Sequence, residues 1–131
     1  MATDIFIKIG DIKGESTDAK HKDEVEVLSW SWGVAQSGSV AGPGGGTGKA
    51  SFSAFSFMHR IDAASPPLMK ACATGEHIKE ATVTSRKAGK GQQEFLIIKM
   101  NDILITSVQP TMSNAEGSME AVSLQMAKVS L

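Results

Sequence analysis

Between Glu24 and Trp32 the alternation of side chains changes phase in the middle of a strand. Val25 and Val27 share one face, opposite Glu24 and Glu26, whereas Leu28, Trp30 and Trp32 share a face opposite Ser29 and Ser31. Successive side chains of a strand point to opposite faces, so a change of phase needs an extra residue or a bend. A β-bulge is therefore predicted near Val27–Leu28, a device common where a sheet curls into a barrel. Trp30 and Trp32, two apart and on one face, are most simply core anchors; the alternative is a contact with another subunit. If they point inward, Ser29 and Ser31 point outward.

The rest of the chain is also rich in short periodic runs. Ile5, Ile7 and Ile9 alternate with Phe6 and Lys8 as in a half-buried strand. The polar stretch from Asp11 to Asp23 predicts a solvated loop. Residues Ser37 to Gly48 hold six glycines and a proline and predict a long loop within one domain, since strand-like sequence lies on both sides. Lys49 to His59, with Phe52, Phe55 and Phe57, resumes a strand. Ser65 to Gly75 predicts a helix capped by Ser65, with Pro66 and Pro67 in its first turn, Leu68 and Cys72 on its apolar face and Gly75 closing it. Ala81 and Val83 mark the next strand, Ala88 to Gly91 a hairpin turn, and Val122, Leu124 and Met126 the last strand. Phe95 to Val108 is nearly continuous apolar sequence, predicting a strand buried on both faces and bent at Asn101. About six strands and one short helix point to a β-sandwich or a closed barrel. The chain stops inside apolar alternation at Val129-Ser130-Leu131, so a final strand is expected beyond it.

Composition narrows the function classes. At 131 residues there is room for one domain, residues 1–131, with one core. Thirteen basic and fourteen acidic residues leave a formal charge of −1, which gives no net pull toward nucleic acid or an anionic membrane. Five Phe, two Trp and no Tyr are few for stacking single-stranded nucleic acid. The start, Met1 to Lys8, has no basic and apolar leader pattern, and no run approaches a membrane span. A lone Cys72 excludes an internal disulfide and fits folding in a reducing cytoplasm. The seven Met are expected to fill gaps in the core.

Each candidate for chemistry has a plainer explanation. Gly42 to Lys49 lacks the first glycine of a phosphate loop, because Pro43 stands there, and Ala50 replaces the required hydroxyl residue. Cys72 with His77 or His59 would make a thiol and base, yet a cysteine on an apolar helix face ordinarily packs as a small hydrophobe. Asp18, His21, Asp23 and Glu24 lie within seven residues but lack a recognised ligand spacing. No nucleophile elbow is present. The expectation is a protein that is not an enzyme and needs no cofactor or metal. A small-ligand barrel is the alternative, and it requires an interior cavity.

Taken together, the segments resemble the Hcp family (haemolysin-coregulated protein) of bacterial type VI secretion along essentially the whole chain. The resemblance is carried by Asp4 to Ser16, Val27 to Gly33, Gln36-Ser37-Gly38, the Ser65 to Cys72 helix, Arg86 to Gly89, and Phe95 to Ile98 through Ser107-Val108. It implies a mainly β fold, a closed or nearly closed barrel of two packed sheets with one short flanking helix. It further implies homohexameric rings stacked into a tube, propelled by a contractile sheath and tipped by a spike protein. The lumen of such a tube shelters small secreted effectors, and Ser29 and Ser31 would face it. The loop with Ser37, Gly38, Gly42, Pro43, Gly44, Gly45, Gly46 and Gly48 would make ring contacts. The protein would assemble in the cytoplasm and leave without a cleaved signal peptide.

Overall fold

A computed structural model describes residues 3–38, 49–89, 93–115 and 117–131. The strands are β1 (Thr3–Ile9), β2 (Val25–Glu26), β3 (Ser29–Ser31), β4 (Val34–Gln36), β5 (Ala50–Phe52), β6 (Phe55–Arg60), β7 (His77–Lys87), β8 (Glu94–Ser113) and β9 (Gly117–Ser130). The helix α1 spans Ser65–Thr74. Seven strands form one antiparallel sheet in the order β2-β1-β7-β8-β9-β6-β3, while β4 and β5 form a separate two-stranded hairpin. The fold is thus mainly β with one short helix, as expected, its two sheets being a strongly curled seven-stranded one and a small two-stranded one.

The phase change at Val27–Leu28 has a different cause from the expected bulge. β2 and β3 stand at opposite ends of the sheet although only two residues separate them. The Val27 N–H donates to the Ile5 carbonyl at one end (2.9 Å), and the Leu28 N–H donates to the Met58 carbonyl at the other (2.8 Å). One segment therefore pairs with β1 and then with β6, which brings the two sheet edges together into a nearly closed barrel. A change of partner strand, rather than an inserted residue, resets the alternation.

Inward-facing residues follow cross-strand rungs. Ile7 pairs with Val83 and Val83 with Ile98; Trp30 pairs with Phe57, Phe57 with Val122 and Val122 with Val108. Phe55, Phe57, Ile98, Ile105 and Leu124 are buried in one continuous core, each such side chain contributing about 1.5–3 kcal/mol of hydrophobic stabilisation. β8 is not buried on both faces, as expected from its run of apolar residues. Ile98 and Met100 face inward on one side of Asp102, and Ile103 and Ile105 on the other. Asp102 takes φ 53°, one residue past the predicted bend, and lets the strand change phase there. The opposite face leaves Phe95 56% exposed and Ile97 exposed beside it.

Helix α1 packs over β8 through Leu68 and Ala71, with Cys72 half-buried at its side. The N-cap is Ala64, and Ser65 is the first helical residue: its Oγ accepts from the Asp62 N–H (3.0 Å), while Asp62 Oδ1 accepts from the Ala64 N–H (2.8 Å). Gly75 ends the helix at φ 67°, with Glu76 N–H donating back to Ala71 O (3.1 Å).

Residues 14–24 are no free loop. Phe6 points away from the barrel core yet is buried, because this segment folds over it. The His21 ring stacks on Phe6 at 4.6 Å, and the Arg86 guanidinium lies 4.9 Å from the same ring. Gly14 passes so close to β2 that a Cβ there would lie 2.6 Å from the Glu24 carbonyl oxygen.

Candidate functional site: an uncharged outer face beside a protruding hairpin

Strand register sets a second series of rungs on the outer surface. Ser31 pairs with Ser56, Ser56 with Ser123 and Ser123 with Ser107, giving one serine on each of four adjacent strands. The next rung runs Ser29, Met58, Ala121 and Gln109. Ser29 and Ser31 are exposed, as alternation required once Trp30 faces inward. The Ser56 and Ser123 hydroxyls hydrogen-bond to one another (2.9 Å), and Thr106 Oγ1 donates to the Ser123 carbonyl (3.2 Å). These two rungs hold small or uncharged side chains only, and their members on β3, β6 and β9 line a shallow depression on the surface.

Beside this face stands the β4–β5 hairpin, in which all six strand residues are exposed. Its base is tied by Gly33 N–H to Ser53 Oγ (2.9 Å) and by Trp32 stacked on Phe52 (ring centroids 5.5 Å apart). Ser37 and Gly38 follow β4: Ser37 Oγ accepts from the Lys49 N–H (3.0 Å), and the Gly38 N–H donates to Gln36 Oε1 (3.0 Å). Gly42, Pro43, Gly44, Gly45, Gly46 and Gly48 lie outside the described residues. Trp30 and Trp32 are both half-buried and pack against the core from its edge, Trp30 by stacking on Phe55 at 5.3 Å.

Of the titratable residues considered for chemistry, Asp18, His21, Glu24 and His59 are each held by an oppositely charged or hydrogen-bonding partner. Both terminal nitrogens of Arg86 donate to the Asp18 carboxylate, with Asp4 Oδ2 a further 3.5 Å contact. Hydrogen bonding to Arg86 brings the Asp18 carboxyl down to about 2, helped by the Lys20 and His21 backbone N–H groups, and Asp18 in turn raises Arg86. His21 bridges Glu24 (3.0 Å) and Glu94 (2.9 Å). His59 and Glu120 form a wholly buried pair, so His59 offers no base to Cys72. Burial works to lower the His59 pKa, but the Asp62 and Glu120 carboxylates outweigh it and hold it above the ordinary value. Among the described residues no three His, Cys, Asp or Glu side chains converge as a metal site. Among the described residues, apolar side chains pack together through the barrel interior, which counts against the small-ligand alternative.

Sequence reasoning placed Ser29 and Ser31 but missed Ser56, Ser107, Ser123 and the His59–Glu120 pair. The signal was present. Ser56 sits between Phe55 and Phe57, and Ser123 between Val122 and Leu124, each in the outward phase. His59 continues the inward phase of Phe55 and Phe57, and Glu120 that of Val122 and Leu124.

A curled antiparallel sheet closed by one split strand, a flanking helix and a projecting hairpin place the chain among the Hcp-type barrels of type VI secretion. Hcp1 from Salmonella typhimurium superposes with a TM-score of 0.86 at 44% identity, over 98% of this chain and 85% of that one. A type VI secretion system effector from Yersinia pestis superposes with a TM-score of 0.82 at 41% identity, over 96% and 86%. The family model for the type VI secretion system effector Hcp matches residues 6–131, and the chain belongs to that family. Protein hcp1 of Pseudomonas aeruginosa is 48% identical over 132 residues, covering 98% of this chain and 82% of the relative. No described helix is long and apolar enough to cross a membrane.

Proposed function

We propose that this chain is a structural subunit that closes into six-membered rings, stacks as the inner tube of a type VI secretion system, and carries small effectors in the lumen. The observation that carries this reading is the β4–β5 hairpin. Two strands alone are marginal in water, yet this pair stands off the barrel with Val34 60% and Phe52 43% exposed. Such an element gains its partner in another copy of the chain, and a head-to-tail contact between unlike surfaces closes as a ring. Six is the number that family membership supports, as are the sheath and spike partners and export without a cleaved leader.

The outer serine face then lines the lumen. Size-exclusion chromatography with light scattering tests the ring: a hexamer mass is expected, and a monomer or two-fold dimer at micromolar concentration overturns the assignment. Deleting Gly42 to Gly46 should leave the ring fold intact and impair stacking; unchanged tube formation would refute a ring-contact role for that loop. Ser31→Gln should leave assembly unchanged and reduce the effector that co-purifies, because bulky side chains would crowd one girdle. Equal recovery removes Ser31 from the lumen, and broken rings place it in a subunit interface.

A further inference from the structure

The two outer rungs through Ser31 and Ser29 contain no acidic or basic residue on any of their four strands. Along the strands, charge next enters with Arg60 at one end and with the exposed Asp102, then Lys128 and Lys99, at the other. A charged group set against the centre of this face would meet no countercharge from the eight residues of these rungs. The face is also largely self-satisfied, since the Ser56 and Ser123 hydroxyls already bond to each other.

We propose that this face docks the uncharged, polar surface of a small folded protein and holds it without ion pairs. The inference rests on the cargo reading above and adds the chemistry of what is held. A carboxylate or ammonium pressed against these rungs would lose water and find no countercharge, which is costly. Hydroxyl and amide groups lose less, and the exposed Ser29 and Ser31 hydroxyls can each donate or accept. Methyl and thioether surface from Ala121 and Met58 adds contact without direction. Selection on this surface is therefore by size and neutrality, and retention is indifferent to ionic strength, because screening acts on charges.

The experiment uses the effector that co-purifies with the wild-type assembly, isolated and fluorescently labelled, and the assembled wild-type, Ser31→Gln, Ser31→Glu and Ser31→Lys proteins. Gln and Glu are nearly equal in size, so their difference isolates charge. Raising NaCl tenfold should change the wild-type Kd by less than about twofold. Ser31→Glu and Ser31→Lys should each bind at least about tenfold more weakly than Ser31→Gln. If one charged variant binds as tightly as Ser31→Gln, or salt weakens wild-type binding tenfold, the cargo uses ion pairs; the inference fails and the cargo reading stands. If all three variants retain effector like the wild type, Ser31 is not in the docking face and the inference fails; if nothing co-purifies, the cargo reading itself fails and takes the inference with it.

Discussion

His59 Nε2 lies 2.8 Å from Glu120 Oε1, directly across the β6–β9 ladder and inside the apolar core. Asp62 Oδ1 stands 3.8 Å from the other ring nitrogen and also accepts from the N–H of Ala64, the residue just before α1. The pair thus joins strand pairing to helix placement. Removing one partner of a buried ion pair strands the other, so Glu120→Ala should cost about 3–5 kcal/mol in urea unfolding. A loss below about 1 kcal/mol would mean that the pair is dispensable.

The same pair gives a signed pH dependence. The His59 pKa in the folded protein lies above its ordinary value of 6.5. The native state therefore holds the proton more tightly than the unfolded chain, and the stabilisation is fully present below pH 6.5. It declines as pH rises through the folded pKa. Wild type should lose stability relative to His59→Gln on going from pH 6 to pH 9, and parallel curves would remove the linkage.

Asp18 behaves oppositely. Its carboxyl titrates at about 2, against an ordinary 3.8, because Arg86 holds the ionised form. The stabilisation is present above pH 3.8 and is lost as pH falls through about 2. The 14–24 segment should therefore stay closed over Phe6 at pH 4 and loosen only in stronger acid. Asp18→Asn should loosen it at neutral pH, seen as faster amide hydrogen exchange for residues 16–24 with the barrel amides unchanged. Unaltered exchange would show that stacking on His21 suffices.

Gly14 tests the same covering by shape. An added Cβ would strike backbone at the Glu24 carbonyl and at Val25 Cα (2.8 Å), which cannot rotate away. Gly14→Ala should destabilise by about 1–3 kcal/mol. Gly33→Ala, whose Cβ would meet only Ser53 Oγ at 3.7 Å, is the control and should change stability by less than about 0.5 kcal/mol. Equal effects at both sites would deny the close approach.

Local pattern carried much of this fold. Alternation marked β1, β7 and β9, and the Ser-Pro-Pro start with Gly75 bounded α1, because those signals act within a few residues. What it could not carry was partnership. The phase change at Val27–Leu28 was visible, but nothing local says that Val27 bonds to Ile5 and Leu28 to Met58. Likewise Asp11 to Asp23 looked solvated because its polar residues are indeed polar. Their partners Arg86 and Glu94 lie more than sixty residues away in sequence. The serine rung has the same character: Ser31 was identified from its own strand, whereas Ser56, Ser123 and Ser107 join it only through register.

The two tryptophans looked equivalent in sequence, but their surroundings differ. Trp30 stacks on Phe55, itself buried, and stands in the inward rung with Phe57. Trp32 stacks on Phe52, which is largely open to solvent at the hairpin base. Its indole N–H is shielded and meets no acceptor among the described residues. Truncating Trp30 opens a cavity at the edge of the core, so Trp30→Ala should cost about 3 kcal/mol. Trp32→Ala should cost only about 1–2 kcal/mol, because its partner gives up less buried surface. Trp32→Phe keeps the ring stack and removes the unpaired donor, whose burial is itself unfavourable, so stability should stay within about 0.5 kcal/mol of wild type. Each variant leaves the other tryptophan as a fluorescence reporter for urea unfolding. Equal losses for Trp30→Ala and Trp32→Ala would place both rings in the same core environment, and a large loss for Trp32→Phe would show that its N–H has found an acceptor.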